Sequence, residues 1–122
     1  MIKRPLNARF RAAVLNGRKT TTIRDKAWPV GIPIMLYSWS GRPYRSKQID
    51  VAPIVVMGFW TIRIAHRVDG VMGYDCGKES GPELHVTEGF ASQEDMDAWF
   101  RAKVKPGKVV RKTLMMFRRV EA

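Results

Sequence analysis

The β-rich run at residues 47–67 constrains the fold of this chain more than any other segment. Its composition is typical of strands, and Pro53 and Gly58 interrupt it. Proline cannot donate to a strand ladder and glycine weakens one, so these two residues mark bulges or strand ends. The run therefore predicts at least two strands.

A first helix is predicted near the N-terminus. Apolar residues recur there at helical spacing: Leu6, Phe10, Ala13 and Val14. Asn7 suits the N-cap, and Asn16 with Gly17 forms a C-terminal stop. We expect a helix of about two and a half turns that ends at Gly17.

The remaining elements follow from composition and turn signals. Further strands are expected at residues 20–24, 32–38 and 109–120. A second helix should begin after the N-cap Ser92 and end at residues 105–107. Residues 69–87 show no sustained helical or strand periodicity, which predicts a long loop-like excursion from the domain. Together these elements predict one α+β domain over residues 1–122, with a mixed or antiparallel sheet flanked by two helices.

The charge of the chain is large and unevenly distributed, with a formal net value of +11. Eight of the eleven acidic residues lie between Asp69 and Asp97, where Lys78 is the only lysine or arginine. The cationic remainder indicates a polyanionic partner, most often nucleic acid. Charge alone does not separate RNA from DNA or from an acidic protein, and the alternative is a basic protein without such a partner.

Cysteine usage and hydropathy narrow the class of protein. Cys76 is the only cysteine, and His66 and His85 stand alone, so we expect no disulfide, no metal site and no cofactor. A reducing cytoplasm is the expected location. No apolar run approaches the roughly 20 residues that span a bilayer, and the first residues lack the apolar stretch of a signal peptide, so no membrane partner is expected.

Two short segments combine groups that are suited to chemistry. Residues 17–24 read Gly-Arg-Lys-Thr-Thr-Thr-Ile-Arg and place an amine, three hydroxyls and two guanidinium groups after the first helix. Residues 88–92 read Glu-Gly-Phe-Ala-Ser and precede the second helix. With the intervening turn at Val30 and Gly31, these segments make most of the chain resemble the ASCH domain family.

The resemblance implies a PUA-like fold, which is a small β-barrel similar to an RNA-binding domain. Residues 17–25 are especially similar to the small bacterial N4-acetylcytidine amidohydrolases, whose catalytic lysine, threonine and glutamate correspond to Lys19, Thr22 and Glu88. The implied partner is RNA or a modified nucleoside, and the implied reaction is metal-independent hydrolysis of an N-acyl amide on cytidine. Other ASCH proteins are RNA-binding modules or ribonucleases, so both functions remain alternatives.

Amide hydrolysis needs a nucleophile, a base and a group that stabilises the oxyanion. Thr22, Lys19 and Arg24 suit these roles, and Glu88 would carry a proton to the leaving amine or position water. Lysine is a base only when neutral. Burial and the cations Arg18 and Arg24 favour the neutral amine, whereas an ionised Glu88 opposes it. The alternative is a purely structural ion pair between Lys19 and Glu88.

Strand alternation sets a geometric condition on this site. In a regular strand Thr22 shares a face with Thr20 and Arg24, and Lys19 points away from that face. Lys19 and Thr22 converge only if Lys19 lies in the turn after Gly17, before the strand begins.

Further side chains are candidates for binding a base or a phosphate. They are basic, hydroxylated or aromatic residues in the motif or in turn-like segments: Arg18, Thr20, Arg24, Trp28, Trp39, Arg42, Arg45, Lys47 and Tyr74. An aromatic face stacks on a base with about 1–3 kcal/mol, and the neighbouring cations would hold phosphate. Core packing is the alternative for Trp28 and Trp39.

Overall fold

The computed structural model describes residues 1–77 and 84–120 of the 122-residue chain. These residues form an α+β fold. In chain order its elements are β1 (Ile2–Pro5), a 3-10 helix (Ala8–Phe10), α1 (Arg11–Leu15), β2 (Thr21–Arg24), β3 (Pro33–Trp39), β4 (Gln48–His66), β5 (Met72–Asp75), α2 (Leu84–Glu88), α3 (Gln93–Arg101) and β6 (Val109–Arg119).

The described strands form one mixed sheet in the order β1, β3, β4, β6, β2, and β5 pairs with the last residues of β4. β1 is parallel to β3, and the other strand pairs are antiparallel. β4 is a single strand of 19 residues, so the expectation of at least two strands here is wrong. A bulge between Val56 and Gly58 accommodates the glycine without ending the strand.

The sheet is open, so the expected closed β-barrel is not formed by the described residues. β1 and β2 are the edge strands, and no backbone ladder joins them. The Arg24 guanidinium donates to the Pro5 carbonyl at 2.8 Å, so the two edges approach each other at one end. The coarser expectation, an α+β fold with a mixed sheet, is confirmed.

Both predicted helix starts are confirmed. The Asn7 side chain accepts a hydrogen bond from the Arg9 backbone N–H, and the Ser92 side chain accepts one from Asp95, each at 3.1 Å. Gly17 ends the first helical segment with a φ of 80°, a left-handed conformation that glycine adopts without strain. α3 ends at Arg101, before the predicted stop at residues 105–107.

Three elements were not predicted, and each is very short. β5 and α2 lie within or overlap the expected excursion at residues 69–87, of which residues 78–83 lie outside the described part of the chain. β1 has only four residues, and its parallel pairing with β3 fixes it. Elements of four or five residues carry almost no periodic signal, so tertiary pairing determines them. For the same reason the described residues form three α-helices instead of the expected two.

The hydrophobic core links the helical segments beside the sheet. Phe90 packs edge-to-face on Phe10, with ring centroids 5.0 Å apart, and on Phe100 at 6.3 Å. Phe10 lies in the 3-10 helix, Phe90 in the segment that follows α2, and Phe100 in α3. Burial of each ring contributes on the order of 2 kcal/mol to the stability of the fold. The cluster fixes the end of α2, and therefore Glu88, next to the turn before β2.

Candidate active site

A cleft of about 260 Å³ opens between β2 and α3. Its walls carry Lys19, Thr22 and Glu88, the three residues that the resemblance marks as catalytic, together with Arg24. Lys19 is 4% exposed and Glu88 is 3% exposed. Burial of ionisable side chains is unfavourable unless they find partners, and it is concentrated at functional sites.

Lys19 lies in the turn before β2, which starts at Thr21. Its backbone N–H donates to the Ala13 carbonyl at 2.9 Å, which holds the turn against α1. This position meets the condition set by strand alternation. The side chains of Lys19 and Thr22 accordingly line the same cleft.

The Lys19 amine donates to two backbone carbonyls, that of Thr21 at 2.8 Å and that of Glu88 at 2.7 Å. It also lies 4.7 Å from the centroid of the Phe10 ring. Burial lowers the pKa of Lys19, and Arg24 adds to this, although the Glu88 carboxylate opposes it. A neutral amine can satisfy both carbonyls with its two N–H bonds and keep a lone pair to accept a proton.

Glu88 is the last residue of α2, and hydrogen bonds to the start of β2 position it. The Thr21 hydroxyl donates to Glu88 Oε2 at 2.5 Å and lies 3.1 Å from the Thr87 hydroxyl. The Thr20 backbone N–H donates to the Thr87 carbonyl at 2.8 Å. The strand that carries Thr22 therefore also fixes the carboxylate.

Thr22 and Arg24 share one face of β2, as alternation predicts. Arg24 Nε donates to Thr22 Oγ1 at 3.2 Å, and the Arg24 guanidinium carbon lies 5.0 Å from the centroid of the Trp28 ring. Burial lowers the pKa of Arg24, and Glu88 opposes this shift. Because Arg24 occupies one lone pair of the Thr22 hydroxyl, the hydroxyl proton is available for donation to a base.

One wall of the cleft is aromatic. The Trp99 centroid lies 5.6 Å from that of Phe10 and 5.9 Å from that of Phe90. The Arg9 guanidinium lies 5.2 to 5.3 Å from all three rings. Binding sites for small molecules commonly combine an apolar wall with a few convergent polar groups, in volumes of about 300–1,000 Å³. This cleft is slightly smaller, so it suits a single planar ring system.

Further charged residues line the cleft. Lys112 forms an ion pair with Asp25, and the hydrogen bond and charge of Lys112 lower the pKa of that carboxyl group. The Lys103 amine lies 4.5 Å from the centroid of the Trp99 ring. Because Asp25 offsets the charge of Lys112, Lys103 is the one of these two lysines that adds net positive charge to the cleft lining, and this charge favours anionic or electron-rich ligands.

Four candidate residues lie near the cleft without lining it. Arg18 donates to the Phe90 carbonyl, and Thr20 binds α2 through its backbone. Trp28 is 8% exposed and belongs to the hydrophobic core, as its alternative interpretation predicted. Tyr74 donates to Asp97 at 2.7 Å and joins β5 to α3, and burial together with Asp97 raises its pKa.

The other four candidates lie on the hairpin between β3 and β4, on a separate surface. Trp39, Arg42, Arg45 and Lys47 are absent from the cleft lining, and the three cations are exposed. The Trp39 ring packs against Tyr44, with centroids 5.2 Å apart. Tyr44 itself is 88% exposed. The structure therefore does not bring these four residues to Lys19 and Glu88.

Sequence reasoning missed Thr21, the residue that holds Glu88. Alternation gives the signal that could have found it: once Lys19 is placed in the turn, Thr21 points to the opposite face from Thr22. No local pattern marks Lys103 or Lys112 as cleft residues, since their positions depend on how α3 and β6 pack against β2.

No protein-family model matches this chain, and neither a curated protein nor a solved structure is significantly similar to it. In residues 1–77 and 84–120, His, Cys, Asp and Glu side chains form no group of three or more that could hold a metal ion. In the same part of the chain, no helix has the length and apolar character needed to cross a membrane.

Proposed function

We propose that this chain is an ASCH-type, metal-independent amidohydrolase that binds an N-acylated cytidine in the cleft between β2 and α3. The proposal rests mainly on one observation: a single cleft with an aromatic wall is lined by Lys19, Thr22, Arg24 and Glu88. The associated fold assignment is a PUA-like arrangement whose sheet is left open. The choice of N4-acetylcytidine as substrate rests on the resemblance of residues 17–25.

The positions of the four polar groups support a division of roles. The Lys19 amine, neutral through burial, takes the Thr22 proton, and the Thr22 oxygen attacks the acyl carbon. The Arg24 guanidinium stabilises the oxyanion. The C–N bond breaks as Glu88 relays the proton from the Lys19 ammonium to the leaving amine, which returns both residues to their starting forms, and water then hydrolyses the acyl-threonine ester to release the acid.

The second candidate is a non-catalytic RNA-binding module, and one observation favours it. The Lys19 amine already donates to two backbone carbonyls that tie the turn before β2 to the end of α2. In that case Lys19 is structural, and the exposed cations and aromatic side chains would hold RNA. A ribonuclease that activates a ribose hydroxyl is the third candidate.

Turnover of N4-acetylcytidine tests the proposal. We expect the protein to release cytidine, and Thr22→Val to reduce kcat by at least about a thousandfold because the nucleophile is lost. Thr22→Ser should retain part of the activity. The matched control is Thr61→Val, which removes an exposed hydroxyl from β4 and should leave kcat unchanged.

The same assays separate the alternatives. An absence of cytidine release at high enzyme concentration, or full activity in Thr22→Val, would contradict the amidohydrolase. Salt-sensitive RNA binding without turnover would favour the binding module. Cleavage of labelled RNA that is lost in Lys19→Ala would favour the ribonuclease.

A further inference from the structure

A groove of about 450 Å³ lies next to the cleft, and Lys19 lines both cavities. β6 continues to Arg119, whereas β2 begins only at Thr21, so the end of β6 pairs with β4 on one side and has no described strand beside it on the other, where the groove lies. Gly17 lies on the groove wall, where it has no side chain and no atom approaches its Cβ position within 4 Å.

The groove combines unpaired cations with apolar surface. Arg118 and Arg119 line it and are exposed, and neither forms an ion pair or a side-chain hydrogen bond with any residue in the described part of the chain. Met57 and Met116, which are 50% and 39% exposed, supply the apolar part. None of the described lining residues is acidic.

These features match the chemistry of a nucleotide chain. A single arginine guanidinium binds phosphate oxygens in a bidentate manner, and flexible methionine side chains accommodate sugars and base edges. The cleft suits a single ring system, whereas the groove is larger, and Lys19 lines both. A chain with one base in the cleft would carry its neighbouring phosphates along the groove.

We propose that the groove binds the phosphodiester backbone of a single-stranded nucleic acid through Arg118 and Arg119. The cleft then accepts an N-acylated cytosine within a strand as well as the free nucleoside. This statement about the substrate rests on the proposed amidohydrolase function, whereas phosphate binding in the groove does not.

Binding of a fluorescein-labelled oligocytidylate without acyl groups tests the groove alone. We expect the double variant R118Q/R119Q to weaken binding on the order of tenfold and to lower the slope of log Kd against log salt by about 1.4, since each phosphate contact on a single strand contributes roughly 0.7. The matched control is R63Q/R111Q, which removes two exposed arginines from β4 and β6 outside both cavities. R118K/R119K keeps the charge and should retain most of the binding.

Three results would contradict the proposal that the groove binds a single strand. They are an absence of oligocytidylate binding by the native chain, equal losses of affinity in R118Q/R119Q and R63Q/R111Q, and tighter binding of a duplex than of the single strand. Oligodeoxycytidylate tests whether the sugar contributes, and binding of either strand through the two arginines supports the proposal. If the groove binds the strand but N4-acetylcytidine is not hydrolysed, the amidohydrolase function is rejected and the groove proposal stands. If the free nucleoside is hydrolysed but strand binding does not depend on the two arginines, the groove proposal is rejected and the amidohydrolase function stands.

Discussion

Lys19 places an ionisable amine in the interior with 4% of its surface exposed. Its two carbonyl acceptors can be satisfied by the neutral or by the charged form, so hydrogen bonding alone does not fix its protonation state. Burial lowers the pKa of Lys19 and the charge of the Glu88 carboxylate raises it, and burial is the larger of the two effects. The residue was identifiable from the motif, but its burial was not, because burial depends on Phe10 and α2.

The lowered pKa of Lys19 makes stability depend on pH. Between that pKa and the ordinary value of 10.5, the unfolded chain binds one more proton than the folded chain, so the free energy of unfolding rises with pH in this window. The slope is at most about 1.4 kcal/mol per pH unit. We expect urea unfolding from pH 7 to 10 to show this rise in the native chain relative to Lys19→Met, in which this contribution is absent.

The comparison between the two chains also cancels the titration of groups that they share. A difference that stays flat from pH 7 to 10 would mean that the pKa of Lys19 is not lowered. A difference that falls only above pH 10.5 would mean that Glu88 dominates and holds the amine charged, which is the structural ion pair.

At the scale of elements, the junction after α2 controls the site. Gly89 has a φ of 91°, and a Cβ added there would lie 3.2 Å from both Lys19 Cδ and Phe10 Cδ1. The close approach of α2 to the turn before β2 therefore requires glycine at this position. The motif indicated Gly89 as part of a site, whereas α2 itself was not predicted.

Replacement of Gly89 by alanine should disturb both backbone and packing. We expect Gly89→Ala to lower the free energy of unfolding by about 1–3 kcal/mol more than Gly17→Ala does, measured by urea denaturation at pH 7. Gly17 is the matched control, because its φ of 80° imposes similar backbone strain but its Cβ position is open. Equal losses would show that the packing against Lys19 and Phe10 is loose.

At the scale of the whole molecule, charge is the dominant feature. Only four ion pairs within 4.0 Å are found in the described residues, and their side chains are half-exposed or exposed. Such pairs contribute about 0–1 kcal/mol each, so they do not offset the mutual repulsion of a net charge of +11.

The thermal stability of the chain should therefore increase with salt. We expect Tm to rise between 20 and 300 mM NaCl, by about 4 °C for each kcal/mol of repulsion that is screened. R63Q/R111Q, which carries two fewer positive charges, should show a smaller rise over the same range. A Tm that falls with salt would mean that attractive ion pairs outweigh the repulsion.

Local patterns of the sequence by themselves determined the class of fold, the two main helix starts and the residues of the motif. Asn7 and Ser92 cap their helices through hydrogen bonds to residues two and three positions away, and such contacts are encoded locally. The alternation rule likewise required Lys19 to lie in a turn if its side chain was to converge with that of Thr22.

Tertiary structure alone decided which candidates share a site. Lys19 and Glu88 meet across 69 positions of sequence, and Thr21 rather than Thr22 holds the carboxylate. The open sheet, the bulge in β4 and the placement of the Trp39 hairpin away from the cleft were decided at the same level. These features depend on pairing between distant strands and on burial against distant side chains, and local sequence patterns do not encode either quantity.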